Sequence, residues 1–135
     1  MAALTFIDTN VLAYAYDADS GEKGERAREI LGEIDGAVVS TQVLLELFAV
    51  LTRKLELTRD AAEEAVESLM GLEVVPTDAR LVREGLRISR DHDLSHWDAM
   101  IVAAAATSGC EVLLTEDLND GQVIEGVRIA NPFPA

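Results

Sequence analysis

Asp8, Glu46, Asp98 and Asp117 are the side chains of this sequence whose types and positions could do chemistry together. They lie far apart, in "FIDTN", "LLELF", "SHWDAM" and "TEDLND". Carboxylates are hard oxygen ligands, and no cysteine or second histidine stands beside them at zinc-ligand spacing, so the set suits Mg2+ or Mn2+. Packed without a counter-ion, two carboxylates about 4 Å apart repel by ~1 kcal/mol in water and ~4 kcal/mol at an effective dielectric of 20. Three or four in one place therefore demand a cation or raised pKa values.

Each acid also has an ordinary explanation. Asp8 suits the N-cap of a following helix. Glu46 shares a helical stripe with Gln42, Ala49 and Arg53, which could simply face water. Ser95 and Asp98 form S-x-x-D, a capping-box pattern, and an acid at a helix start also complements the helix dipole. Asp120 precedes Gly121 in an everyday turn pair, and Asp117 lies two residues beyond a strand end at Thr115. His92, in the charged run "RDHD", and His96 lack metal partners and read as surface or capping residues.

The elements that would position these groups alternate. Residues 4–8 form a short strand ending in "DTN", a cap for the helix that follows. Amphipathic spacing predicts helices over 22–34, 41–55, 58–71 and 78–92, and another starting near Ser95. Strands are predicted over 37–40, 72–76 and 111–115, with a weak one over 127–132. Strands separated by helices give an α/β domain with a mainly parallel sheet of four or five strands, covered on both faces. The polar, turn-rich stretch 116–126 follows the fourth strand. In open sheets of this kind, ligands bind beyond the carboxyl ends of strands where strand order reverses. Asp8 and Asp117 follow two strands expected side by side, and Asp98 begins the helix that feeds the second of them.

Composition narrows the options. With 135 residues, 49% hydrophobic and 27% charged, the chain is expected to form one domain, 1–135, with a real core. Its longest apolar run, Ala99–Ala106, is far shorter than the roughly 18–20 residues that cross a bilayer, and Met1–Leu12 lacks a basic n-region, so a cytoplasmic location without membrane attachment is expected. Cys110 is the only cysteine. A formal charge of −14, from 25 acids against 11 lysines and arginines, rules out a broad basic surface for nucleic acid. A phosphate-handling site must bring its own positive charge. Arg80, Arg83, Arg87 and Arg90 lie on one helical stripe, opposite Leu81, Val82 and Leu86; this is either a solvated face or a track for an RNA backbone. Phosphate-binding, dinucleotide-binding and nucleophile-elbow motifs are absent. The first strand ends in "DTN" instead of D-x-D, and no lysine follows Lys54.

Taken together, "FIDTNVLAYAYD", "VSTQVLLELFAVLTRK", "LSHWDAMIVAAAATSGCEVLLTEDLNDG" and "VRIANPF" resemble the PIN-domain ribonucleases, especially the VapC-like toxins of bacterial toxin–antitoxin modules. The resemblance spans nearly the whole chain and implies a three-layer α/β/α domain. It implies that Asp8, Glu46, Asp98 and Asp117 form an acidic metal site, with Asp120 as an optional fifth acid and Thr9, Asn10 and Thr115 orienting them. The implied activity is Mg2+- or Mn2+-dependent hydrolysis of RNA phosphodiester bonds, with a small antitoxin as partner and a homodimer as assembly. A noncatalytic RNA- or protein-binding module, or a small-molecule phosphohydrolase, are the competing functions. For the protein contacts, the helix over 41–55 offers Leu44, Leu47, Phe48 and Leu51, residues that burial against its own sheet would explain equally.

Overall fold

The computed structural model describes residues 3–133. The first strand, β1 (Thr5–Ile7), leads into α1 (Thr9–Tyr16) and α2 (Gly21–Glu33); β2 (Ala37–Ser40) is followed by α3 (Thr41–Arg53) and α4 (Arg59–Leu69). After β3 (Glu73–Val75) come α5 (Ala79–His92) and α6 (His96–Thr107), then β4 (Val112–Leu114), β5 (Val123–Ile124) and β6 (Val127–Ala130). The sheet runs β3-β2-β1-β4-β6-β5, parallel throughout except for β5 against β6. Strand order reverses between β1 and β4, which pair in parallel, Thr5 with Val112 and Ile7 with Leu114. The carboxyl ends of these two strands border the crevice where the fold places ligands.

Helical crossovers carry the chain from β1 to β2 to β3 on one face and back to β4 over the other. The packing follows that route: α1 meets α2 and α3, and α3 meets α4, whereas α5 lies on α6, which covers β2, β4 and β6. Helix α6 has no polar side to turn outward, and Ala99–Ala105 are all buried. In α5 the buried positions Leu81, Gly85 and Ile88 repeat at helical spacing. Gly85 permits the close approach of these two helices, because a Cβ there would stand 2.3 Å from Met100 Sδ. Among the described residues no helix is long and apolar enough to cross a membrane.

Three expectations change. The sheet has six strands, because the polar stretch 116–126 contains β5. Glu125 and Gly126, at φ 53° and 80°, make the two-residue turn that folds β5 onto β6, and turns with two positive φ values match the twist of paired strands. Arg87 and His92 of α5 both hold the Glu125 carboxylate, which ties the hairpin down. Second, Leu44, Leu47 and Leu51 are core residues and Phe48 is half-buried; the side chain that α3 exposes is Leu45, at 73%. Third, Val82 and Leu86 are exposed although they lie on the apolar side of α5. They line a groove with Leu45, Trp97 and Met100.

Candidate active site

Asp8 follows β1 directly and is the N-cap of α1, its Oδ1 accepting from Thr9 N–H at 2.7 Å. Capping takes only one of its two oxygens. Its other oxygen accepts from the Thr115 hydroxyl at 2.9 Å, across the β1–β4 seam. Thr115, fully buried just beyond β4, also accepts from Asn10 Nδ2 at 3.1 Å and from Asp117 N–H at 3.1 Å. Asn10 in turn donates to Asp117 Oδ2 at 3.0 Å. One hydroxyl and one amide therefore lock the ends of both strands and set Asp8 and Asp117 beside each other.

Glu46 joins from α3. The Thr9 hydroxyl donates to its Oε2 at 3.0 Å and Gln42 Nε2 to its Oε1 at 2.9 Å. Gln42 also reaches the Trp97 carbonyl at 3.5 Å, and Trp97 precedes Asp98 in the first turn of α6. Only half of the capping box forms there: Asp98 N–H donates to Ser95 Oγ at 3.1 Å, while among the described residues the Asp98 carboxylate has no hydrogen bond. The acid at the entrance of the buried helix is not used up by capping. Asp120 has a structural task, its Oδ1 accepting from Asn131 N–H at 2.9 Å.

Every hydrogen bond to Asp8, Glu46 and Asp117 comes from a neutral donor, and among the described residues none of the four acids forms a salt bridge. Burial pushes the Asp8 carboxyl up to about 6; the Thr9 N–H and the Thr115 hydroxyl pull against it, and the charges of Asp117 and Glu46 add to the rise. Replacing Thr115 with Val removes one of the two groups that pull it down. The Asp8 carboxyl is then expected to rise by about one further pH unit, the worth of a hydrogen bond to a charged group. An NMR titration of the Asp8 side-chain carbon checks this, and an unmoved midpoint would show that the hydroxyl does not stabilise the charge.

Among the described residues no three His, Cys, Asp or Glu side chains stand close enough to hold one ion directly. The donor chemistry nonetheless fits a hard divalent cation: paired oxygen acceptors, no positive side chain, and one carboxyl so poorly solvated that it retains its proton to about pH 6.

Two features are not singled out as site groups by the sequence. Gln42 couples α3 to α6, and its only local hint is the i,i+4 spacing to Glu46. Beside the acids, Glu116 is clamped by Tyr14 Oη at 2.6 Å and by Lys23 Nζ at 2.9 Å. Burial raises the Glu116 carboxyl, yet these two hydrogen bonds, with the charges of Lys23 and Lys54, leave it below its ordinary value. On the arginine stripe, Arg87 is engaged by Glu84, Asp91 and Glu125, and Arg90 stands 3.6 Å from Asp91. Arg80 and Arg83 form no salt bridge among the described residues.

Comparison with known proteins agrees with this architecture. A toxin–antitoxin complex from Klebsiella pneumoniae superposes with a TM-score of 0.74 at 18% identity, covering 97% of this chain and 99% of that one. A DNA-bound VapBC from Salmonella typhimurium gives 0.71 at 22% identity, with 98% and 100% covered. A Mycobacterium tuberculosis VapC described as a sarcin–ricin loop cleaving toxin gives 0.69 at 22%, with 81% and 86% covered. No curated protein matches significantly in sequence. The model of the PIN domain matches residues 5–120, and on that match the chain belongs to the PIN-domain family.

Proposed function

We propose that this protein is a Mg2+- or Mn2+-dependent endoribonuclease, the toxin of a toxin–antitoxin pair. The observation that carries the proposal is the network joining Asp8, Glu46 and Asp117 through neutral donors alone, at the point where strand order reverses. Among the described residues no lysine or arginine neutralises these gathered acids, which leaves their charge for a cation to offset. Membership of the family and the likeness to toxin–antitoxin structures support the same reading.

In this proposal Asp8, Glu46, Asp98 and Asp117 hold the cation, directly or through water. Asp120, with one oxygen given to Asn131, could join only through the other. The bound ion supplies a water of lowered pKa and neutralises charge on the attacked phosphate. The chain's own groups do the positioning: Thr115 and Asn10 fix Asp8 relative to Asp117, and Thr9 and Gln42 fix Glu46. Arg80 and Arg83 are candidates for RNA contacts, whereas Arg87 is already neutralised by carboxylates.

The partners proposed are RNA, a small antitoxin and a second copy of the chain, with residues 1–135 acting as one domain in the cytoplasm. The exposed apolar side chains Leu45, Leu86 and Trp97, beside Gln42 and Glu46, support association with another polypeptide. The experiment is expression without an antitoxin, which is expected to arrest growth. Asp98→Asn should relieve the arrest, and the purified protein should cleave single-stranded RNA with Mg2+ and fail to in excess chelator. Growth arrest that persists in Asp98→Asn overturns the toxin reading.

A further inference from the structure

A groove with a volume of about 330 Å³ runs between α1 and the end of α3, lined by Thr9, Asn10 and Asp117 of the acidic centre and also by Lys54. That volume falls within the range of about 300–1,000 Å³ that holds small ligands. Its walls also carry Asp17 and Glu116, so three acids stand among neutral and apolar lining residues such as Ala13, Val50 and Leu55. Lys54 is its one cationic lining residue.

The two lysines of the chain are used differently. Lys23 is tied to Glu116 and stands over the rings of Tyr14 and Phe133 at 5.0 and 5.6 Å. Lys54 makes neither a salt bridge nor a side-chain hydrogen bond among the described residues, although 25 acids surround two lysines and nine arginines in the sequence. The fold holds it where it is: Lys54 caps α3, its N–H donating to Val50 O. The chain then turns at Glu56, in the left-handed region at φ 57°, and Leu57 N–H returns to Leu51 O at 2.9 Å. The negative end of the helix dipole also favours a cation there.

We infer that Lys54 is a substrate-binding residue that takes a phosphate of the RNA strand flanking the one attacked, with the groove along α1 as the path of that strand. The inference rests on the ribonuclease reading of the adjoining acids. Lys54 lies eight residues beyond Glu46, about 12 Å along a helix at 1.5 Å per residue. At that distance it addresses a neighbouring phosphate and leaves the scissile one to the acids and their cation. In a protein of charge −14 such a contact counters the repulsion that the strand meets elsewhere in the groove.

The test combines kinetics with a salt series. Wild-type, Lys54→Gln and Lys54→Arg proteins are compared on a labelled single-stranded RNA in Mg2+. KM is expected to rise about 5-fold in Lys54→Gln, the size of one screened charge contact, with kcat falling less than about 2-fold, and to stay near wild type in Lys54→Arg. Binding of the same RNA, followed by fluorescence anisotropy in chelator across a NaCl series, should show a salt slope smaller by about 0.7 for Lys54→Gln, one phosphate contact on a single strand. A wild-type protein that cleaves RNA while Lys54→Gln keeps its KM and its slope overturns this assignment and leaves the nuclease reading intact. A wild-type protein that neither cleaves nor binds RNA overturns both.

Discussion

Asp8→Asn is expected to lower RNA cleavage by about 10³-fold or more and yet to yield a protein more stable at neutral pH than the wild type. The first effect follows from removing a negative oxygen from the set proposed to hold the cation, where several kcal/mol of charge stabilisation would be concentrated. The second follows from the titration of Asp8. Its folded-state pKa is raised, to about 6 from 3.8. Between those values the folded protein keeps the proton that the unfolded chain has released, so stability falls as pH rises through the window. Above pH 6 the loss is complete, and at 1.36 kcal/mol per pH unit it amounts to about 3 kcal/mol. Asparagine cannot ionise and escapes this loss.

The gain is not the whole amount. The Thr115 hydroxyl donates to Asp8 while accepting from Asn10 and from Asp117 N–H, so an amide at position 8 leaves one donor facing another, at a cost of about 1 kcal/mol. A net stabilisation of about 1–2 kcal/mol at pH 7 should remain, measured by urea denaturation in chelator. At pH 4 the wild-type carboxyl is neutral in the folded protein and the advantage should vanish. A variant less stable than wild type at pH 7, or with the same margin at both pH values, would contradict the assignment of strain to this buried charge.

Divalent cation should have the mirror-image effect on the wild type. Binding at 100 times Kd contributes about 2.7 kcal/mol, which for a chain of this length raises Tm on the order of 10 °C. At the proposed site the ion would compete with the proton on Asp8, so the thermal shift is expected to be large at pH 7.5 and to shrink as pH falls through about 6. Asp8→Asn should lose most of it. Cleavage should disappear in chelator and return with Mg2+ or Mn2+. Equal shifts at pH 5 and pH 7.5 would remove Asp8 from the cation site, and cleavage that survives chelation would remove the cation from the chemistry.

Much of this architecture is legible in local pattern. Residues 37–40 are a strand at the predicted bounds, and α5 begins behind Asp78, which caps it. The other strands are each shorter than their apolar runs, because pairing partners decide where a ladder stops. Segment 123–124 escapes recognition for the same reason: two residues become a strand only through β6 and the turn at Glu125–Gly126. Val82 and Leu86 show a related limit, since periodicity identifies an apolar stripe without saying what, if anything, covers it. At the site, the four acids stand out because each falls at an element end or interrupts an apolar run. The hydrogen bonds that bind them are another matter. Asn10 to Asp117 and Lys23 to Glu116 join residues on opposite ends of the chain, and no local spacing encodes such pairs.

The seam between β1 and β4 also governs when the acidic centre can exist. Asp8 leaves the ribosome 107 positions before the hydroxyl that completes its surroundings. Until then β1 has one naked flank, a strand edge open to unwanted pairing. A nascent or prematurely terminated chain lacking Thr115 and Asp117 has no assembled acidic centre, so whatever activity that centre carries is withheld until the strand before Thr115 has been made and paired.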